Sequence, residues 1–366
     1  MSKTQTQRLL SLDVFRGITV ALMILVNNPG SWGNIYTPLE HSKWNGCTPT
    51  DLVFPTFLFL VGVSIVYAME RKLGNPANHG KLILGALRRG ALLILISLII
   101  QVILHPGFAQ LRYPGVLQRI GLVFFICAVL YIKTSQRVRD WVCVISLVGY
   151  YIIMCFLPVP DTGAPSLEPE TNMGAWLDRV VFTTNHLWVQ SRTWDPEGLL
   201  GTLPAIATGL FGIRIGTWLK RKDRDDSVKV SWMFTWGIAA IVLGLFWDLF
   251  FPINKALWTS SFVLYAGGWS IIGFAICYWL IDVQGYKNWT SFFLPFGANA
   301  ITAYVLSDFI PHYINLIRIN DASLYQIVFL PHFSPNNASL VSAVVTLLLL
   351  WVIMLVLYKR RIFIKV

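Results

Sequence analysis

Long apolar stretches alternate with short polar and basic segments along almost the whole chain of 366 residues. A helix that crosses a bilayer needs about 20 mainly apolar residues. Stretches of about this length recur often enough to predict an all-α, polytopic transmembrane helical bundle of about ten helices. The predicted spans are 14–34, 52–70, 88–105, 115–132, 141–158, 198–219, 232–250, 261–282, 291–308 and 338–358.

One apolar stretch does not fit a span. Residues 309–333 are interrupted by Pro311, His312, Arg318 and further polar residues. We therefore expect an interfacial or re-entrant segment, because irregular backbone is not tolerated against lipid. The chain has neither a long linker rich in Ser, Pro and Gly nor a visible internal repeat, so residues 1–366 are expected to form a single transmembrane domain.

The composition excludes an ordinary soluble enzyme. The chain is 55% hydrophobic and only 13% charged, whereas soluble domains carry about 25% charged residues. The formal charge of +11 does not indicate nucleic-acid binding, because Lys and Arg lie in short clusters between apolar stretches, as membrane topology requires. The five cysteines have neither metal-site spacing nor a disulfide pattern. We expect a bilayer partner, no nucleic acid and no metal.

The basic clusters predict the orientation. Cytoplasmic loops carry an excess of Lys and Arg, and most of the 29 basic residues fall on one side if the N-terminus is inside. With ten spans the C-terminus is also inside, so both termini are expected to be cytoplasmic. The inner segments include Lys3, Arg8, Arg16, Arg71, Lys72, Arg137, Lys220, Arg221, Lys222, Lys359, Arg360, Arg361 and Lys365.

Two segments on the predicted outer face are unusually polar. Residues 35–51 contain a histidine, a tryptophan, an asparagine and two acidic residues, and residues 158–197 form the longest polar stretch. Long loops in compact domains are commonly functional. We expect both segments to contribute to a site on the outer face.

Four residues are candidates for catalysis. His41 can accept a proton near neutral pH, although a single loop histidine is more often only solvated. The Asn27 amide could stabilise an oxyanion or bond between helices. Asp13 lies on one helical face with Arg16, which also fits a helix-end ion pair. Asp51 follows Thr48-Pro49-Thr50 and equally fits a helix cap.

Four arginines could bind phosphate, which their planar guanidinium groups suit. Arg88 and Arg89 also fit an ordinary basic flank of a span. Arg119 is harder to explain in that way because it lies well inside a predicted span, and Arg112 shortly precedes it. The chain contains no P-loop, dinucleotide fingerprint or nucleophile elbow, so the residues alone predict a polytopic protein with an outward polar site.

A series of short motifs resembles the heparan-alpha-glucosaminide N-acetyltransferase family and its bacterial relatives. The motifs follow the family's order along nearly the whole chain, and only the membrane core of the longer human-type members is matched. They are Leu12–Gly17, His41–Gly46, Asp51–Pro55, Pro114–Arg119, Asp195–Gly198, Asn254–Trp258 and Asn299–Ile301.

The resemblance implies an enzyme of a bacterial inner membrane that moves an acetyl group from cytoplasmic acetyl-CoA to the amino group of a glucosamine-type sugar on the periplasmic side, in a homodimer. The family's active histidine falls on His41, the general base, and its first-helix asparagine on Asn27, with Asn28 as the alternative. Asp13 or Asp51 would orient a partner group. Coenzyme phosphates would be bound by Arg88, Arg89, Arg112 and Arg119. Substrate contacts would come from Trp44, Asn45, Asp195, Glu197, Lys255 and Trp258.

Alternative functions remain at this point. The chain could transport an amino sugar or its acetylated form without chemistry, or transfer acetyl to a sugar hydroxyl. Transfer could also pass through an acetyl-histidine instead of a direct ternary complex. A transporter would more often show inverted repeats and broken helices in matching halves, and none is visible in the sequence.

Overall fold

A computed structural model describes residues 9–104 and 107–364. Lys3, Arg8 and Lys365 of the charge pattern, and the last residue of the predicted span 88–105, lie outside the described residues. The predicted all-helical architecture is confirmed. The helices are α1 (Leu10–Asn27), α2 (Val53–Leu73), α3 (His79–Leu104), α4 (Val116–Lys133), α5 (Gln136–Phe156), α6 (Met173–Phe182), α7 (Thr202–Leu219), α8 (Asp226–Asp248), α9 (Ser260–Tyr278), α10 (Leu294–Ala298), α11 (Ala300–Leu316), α12 (Leu324–Val328) and α13 (Pro335–Lys359).

Among the described residues, eight helical segments are long and apolar enough to cross a membrane, as expected of a multi-pass integral membrane protein. Each corresponds to one of the predicted spans. The predicted span 198–219 corresponds to α7, and 291–308 corresponds to α10 and the first half of α11; neither belongs to the eight. The eight segments are Leu10–Asn27, Pro49–Leu73, Pro76–Leu104, Val116–Lys133, Gln136–Phe156, Asp226–Asp248, Ser260–Val283 and Pro335–Lys359.

The boundary predicted between residues 308 and 309 is wrong. Helix α11 continues through Pro311 to Leu316, because a proline removes one backbone hydrogen bond without preventing helix on both sides of it. A two-stranded hairpin follows, with β1 at Arg318–Ile319 and β2 at Ala322–Ser323. Asn320 and Asp321 form its turn with φ of 51° and 65°, the left-handed conformation that such two-residue turns need. The interfacial location of this segment stays a prediction.

The chain divides into two compact units, each with many contacts between its own residues. The terminal unit comprises Met1–Tyr36, Asp223–Phe234 and Ile271–Lys365, and the central unit comprises Thr37–Lys222 and Thr235–Ser270. Each unit combines distant parts of the sequence, so neither is a simple successive segment of the chain.

Glycines allow the helices of the central unit to pack closely. A Cβ on Gly62 of α2 would lie 2.0 Å from the Gly209 carbonyl oxygen of α7. A Cβ on Gly212 would lie 1.9 Å from the Phe59 carbonyl oxygen. Small residues at such crossings are typical of membrane bundles, where close backbone approach provides much of the helix association. Helices α2 and α7 therefore form a closely packed pair within the central unit.

In the terminal unit, α1 packs against α10 in the same manner. A Cβ on Gly17 would lie 2.0 Å from the Phe293 carbonyl oxygen, and one on Gly297 would lie 1.9 Å from the Asp13 carbonyl oxygen. Asn299, between α10 and α11, donates to the Ile362 carbonyl oxygen and accepts from the Ile364 amide. Asn299 therefore binds the backbone of the segment that follows α13 to the junction of α10 and α11.

Candidate functional site

His41 forms a close pair with a buried carboxylate. Its Nδ1 atom lies 2.6 Å from Oδ1 of Asp51, which is 0% exposed. The second oxygen of Asp51 accepts hydrogen bonds from the backbone amides of Ser42 and Thr48 at 3.1 and 2.9 Å and from the Thr48 hydroxyl at 3.1 Å. An ionised carboxylate only accepts, so the proton of a neutral His41 resides on Nδ1 and leaves Nε2 as the base.

The local sequence explains why Asp51 holds this position. Thr48 and Asp51 form a reciprocal capping box at the start of the turn that leads into α2, because the first amides of a helix lack partners of their own. The same turn is secured by Thr50, whose hydroxyl donates to the Pro38 carbonyl oxygen at 3.2 Å. The side chain of His41 remains 42% exposed. The imidazole is thus fixed by a rigid turn yet open to a ligand.

The His41 loop is joined to the segment that follows α8. The Gly46 amide donates to the Ile253 carbonyl oxygen at 2.7 Å, and Gly46 pairs with Asn254 in a parallel bridge. Gly46 has φ of +100°, a conformation that glycine adopts without strain. Asn45, a predicted substrate contact, accepts from the Asn254 amide at 3.2 Å. Two motifs about 200 residues apart in the sequence therefore meet at this edge of the central unit.

Aromatic side chains join the two polar loops. The indole of Trp44 donates to the Leu167 carbonyl oxygen at 3.1 Å. Its ring meets Trp194 edge-on with centroids 5.0 Å apart, and Trp194 meets Trp188 at 5.3 Å. Such edge-on pairs are favourable for aromatic rings. Both loops predicted for the site, 35–51 and 158–197, thus come together.

The acidic motif at the end of the second loop is bound by an arginine. Arg112 donates to both oxygens of Asp195 at 2.8 and 2.6 Å and to Glu197 at 2.6 Å. Burial acts to lower the pKa of Arg112, but the bonds and charges of these carboxylates outweigh it and hold the pKa above its usual value. Burial acts to raise the pKa of Glu197, but Arg112, Lys255 and Arg119 hold it below its usual value. Arg112 and Glu197 are therefore both ionised.

A second arginine holds the backbone of the same motif. Arg119, in the first turn of α4, is 1% exposed and donates to the carbonyl oxygens of Pro196 and Gly198 at 3.0 and 2.8 Å. Its guanidinium lies 5.0 Å from the ring centroid of Trp258. Trp258 is fully buried and donates to the Thr208 hydroxyl at 3.2 Å. Arg119 and Trp258, both predicted as ligand contacts, thus have partners within the protein, and their contact with a ligand stays a prediction.

A small cleft opens beside this network. Its interior volume is about 20 Å³, room for a group the size of one water molecule, and the cleft is partly open to solvent. Sequence reasoning missed several lining residues, among them Asp178 of α6, which is 2% exposed. Burial raises the pKa of Asp178 to about 7. Asp178 lies in a short helix that Asn172 caps, and no motif in the sequence marks it. The lining includes Arg119, Tyr150, Asn172, Asp178, Trp194 and Asp195.

Cys47 lies near the histidine loop but is not suited to carry an acyl group. Burial and the charge of Asp51 raise its pKa to about 12, although Lys255 acts in the opposite direction. A thiol with this pKa is protonated at neutral pH and is a poor nucleophile. The positive charge of Lys255 acts on both Cys47 and Glu197, so it lies near both groups.

Asp13 and Asn27 belong to the terminal unit. Asp13 is 6% exposed and lies 3.4 Å from the guanidinium of Arg16, as the ion-pair alternative predicted. Asn27 is the exposed last residue of α1. The amide of Asn28 instead donates back to the Ile24 carbonyl oxygen at 2.9 Å. Of these two amides, Asn27 is the one on the surface.

The predicted span 88–105 placed Arg88 and Arg89 at the start of a helix, but the structure places them inside one. Helix α3 begins at His79, so Arg88 lies roughly 14 Å along the axis at 1.5 Å per residue. Both arginines are exposed, and the Arg89 guanidinium lies 4.8 Å from the ring centroid of Phe124. Apolar periodicity alone could not locate this start, because the polar first turns of the helix contribute no apolar stretch.

Comparison with known proteins provides independent evidence. The family model described as heparan-alpha-glucosaminide N-acetyltransferase, catalytic, matches residues 8–246. The mouse protein named heparan-alpha-glucosaminide N-acetyltransferase is 30% identical over 421 aligned positions, covering 100% of this chain and 61% of the mouse protein. The human protein of the same name is 29% identical, covering 98% of this chain and 60% of its own length. The chain thus spans about three fifths of these curated relatives.

Proposed function

This chain belongs to the heparan-alpha-glucosaminide N-acetyltransferase catalytic family, and we propose that it transfers an acetyl group from acetyl-CoA to the amino group of a glucosamine-type sugar. The observation that carries the proposal is the pair formed by His41 and the buried Asp51, 2.6 Å apart. It lies within the matched region and presents an exposed imidazole nitrogen fixed in one tautomer.

The chemistry follows from that tautomer. The sugar nitrogen attacks the thioester carbonyl carbon while Nε2 of His41 takes the amine proton, so that a C–N bond forms and the C–S bond breaks. The protonated imidazole then returns its proton to the departing thiolate, giving the amide and free CoA. Asp51 stabilises the imidazolium formed between these steps, as a buried carboxylate does beside a catalytic histidine. This is a direct transfer in a ternary complex, and the raised pKa of the Cys47 thiol disfavours a cysteine relay.

The arginines divide into two groups in this proposal. Arg112 and Arg119 bind the Asp195–Gly198 motif, so we assign them to building the site. Arg88 and Arg89 of α3 are exposed and carry planar groups that bind phosphate well, so we assign them to the coenzyme. Asn27 is proposed as the oxyanion donor. We place both termini in the cytoplasm of a bacterial cell and the His41 loop on the periplasmic side, from the distribution of basic residues.

The test uses the full chain in proteoliposomes with labelled acetyl-CoA and glucosamine. We expect acetylated glucosamine from the wild-type protein. We expect His41→Ala to reduce turnover at least 100-fold, the order of magnitude of general-base catalysis, while acetyl-CoA still raises the melting temperature. His332→Ala is the matched control, because His332 is an exposed histidine of the terminal unit.

Two outcomes would contradict the proposal. Near wild-type turnover of His41→Ala would remove this residue from the chemistry. Passage of unchanged glucosamine across the membrane, without any acetylated product, would indicate a transporter.

A further inference from the structure

Two groups that line the cleft of the central unit have atoms that no hydrogen bond within the described part of the chain uses, namely the Nε of Arg119 and one carboxyl oxygen of Asp178. The phenol of Tyr150 donates to the Leu257 carbonyl oxygen at 2.6 Å. Asn172 accepts from the Ala175 amide and donates to the Glu168 and Pro169 carbonyl oxygens. These lining groups are therefore already engaged in bonds within the protein.

The carboxyl group of Asp178 differs from its neighbours. Its Oδ1 atom accepts from the Leu199 amide at 2.8 Å. Its Oδ2 atom lies beside Gly198, which also lines the cleft, and a Cβ at Gly198 would be only 2.0 Å from it. Within the described part of the chain, the Leu199 amide is the hydrogen-bond partner found for Asp178. One carboxyl oxygen thus remains for a ligand in the cleft.

The charges around Asp178 favour a polar ligand of low charge. Asp195 lies near enough to repel a negative charge on Asp178, while Arg119 and Arg179 favour that charge. Asp195 is itself held by Arg112. A buried carboxyl group without a full set of partners gains free energy by bonding a hydroxyl or amine. A ligand rich in hydroxyl groups satisfies this requirement.

One wall of the cleft is aromatic. Trp194 is half-buried and lines the cleft, and Trp44 and Trp188 support it edge-on. An indole presents a rigid amphipathic face, which suits the C–H face of a pyranose ring. The interior of the cleft, about 20 Å³, admits a hydroxyl group, and because the cleft is partly open to solvent the ring that carries this hydroxyl can stay at its mouth.

We propose that this cleft is the acceptor subsite, where Trp194 packs on the sugar ring and the free oxygen of Asp178 binds one of its hydroxyl groups. The proposal rests on the acetyltransferase function proposed above. It makes Asp178 a specificity residue that contacts the substrate, distinct from the base His41.

The Leu199 amide makes Asp178→Asn an informative variant. The asparagine carbonyl oxygen must remain on this amide, so its NH₂ group replaces the free carboxylate oxygen in the cleft. Asp161→Asn is the matched control, because it makes the same change in the same loop at a side chain that is 55% exposed. Kinetics are measured on the full chain in detergent at about pH 8, where Asp178 is mainly ionised.

We expect Asp178→Asn to raise the KM for glucosamine about tenfold, because a hydrogen bond to a charged group is replaced by a weaker one. The KM for acetyl-CoA and kcat should stay within about twofold, and Asp161→Asn should match the wild type. An unchanged KM for glucosamine, or an equal change in both KM values, would overturn the proposal. The second result would indicate a structural role, which a lowered melting temperature would also report.

Glucosamine binding, measured directly by calorimetry, separates this proposal from the proposed function. If the wild type binds glucosamine but transfers no acetyl group, the transferase function fails. Weaker glucosamine binding by Asp178→Asn would then still support the subsite. If the wild type does not bind glucosamine, or the variant binds it equally well, the subsite fails.

Discussion

At the scale of single residues, Asp51 joins two roles that the sequence offered as alternatives. It caps the turn before α2 and at the same time holds the ring of His41. The two roles support each other, because the cap bonds fix the carboxylate and the fixed carboxylate orients the imidazole. A helix cap and an orienting residue are therefore not competing explanations for this aspartate.

Arg112 provides a prediction at the same scale. It was expected to bind coenzyme phosphate, yet its guanidinium is committed to Asp195 and Glu197. Breaking a buried ion pair by removing one partner costs about 3–5 kcal/mol, because the remaining charge is left unpaired. We expect Arg112→Met to lower the free energy of unfolding by this amount in the protein without ligand.

The measurement is thermal or denaturant unfolding with and without acetyl-CoA. We expect the variant to lose stability equally in both conditions. If Arg112 binds the coenzyme instead, the ligand-free stability of Arg112→Met would match the wild type, and only the stabilisation by acetyl-CoA would fall.

At the scale of elements, apolar length predicted where helices lie better than where they end. The start of α3 at His79 precedes the predicted span by nine residues, and α11 passes through Pro311. Helix ends are decided by capping and by hydrogen bonds in polar segments. An apolar pattern carries little information about either, so these boundaries needed the structure.

For the candidate site, the sequence predicted which loops take part but not which side chains pair within it. The two loops 35–51 and 158–197 were recognised from their polarity, and the structure joins them through Trp44 and Trp194. The partners within the site were not predictable, because pairs such as Arg112 and Asp195 are 83 residues apart. Asp178 carried no motif, and its significance comes from burial, which a single sequence does not display.

The glycine crossing of α2 and α7 allows a prediction at this scale. A Cβ at Gly62 would be 2.0 Å from a backbone oxygen, which a side-chain movement cannot relieve. We expect Gly62→Ala to separate the two helices and to cost more than 3 kcal/mol, above the usual overpacking penalty of about 1–3 kcal/mol. This destabilisation would be measured as the loss of the cooperative melting transition of the protein in detergent.

Gly85 of α3 is the matched control, because a Cβ there would meet nothing within 4 Å. Alanine favours a helix over glycine by up to about 1 kcal/mol, so Gly85→Ala should be neutral or stabilising. Equal melting of the Gly62 variant and the wild type would show that the two backbones do not approach so closely.

At the scale of the whole molecule, the number of crossings depends on α7. This helix is not among the eight apolar candidates, yet most of its residues are buried within the central unit. A helix surrounded by protein does not need an apolar surface toward lipid, because its neighbours replace the lipid contact. We therefore expect α7 to cross the membrane despite its composition.

Single cysteines on either side of α7 test this crossing in a background in which the five native cysteines are replaced. Ala164 and Arg224 are exposed positions before and after the helix. A membrane-impermeant maleimide applied to intact cells should label Ala164→Cys, whereas Arg224→Cys should react only after permeabilisation. The basic segment around Arg224 would then be cytoplasmic, as the distribution of Lys and Arg predicts. Labelling of both positions from the same side would mean that α7 does not cross, and α8 would then have the opposite orientation to the one that the distribution of Lys and Arg predicts.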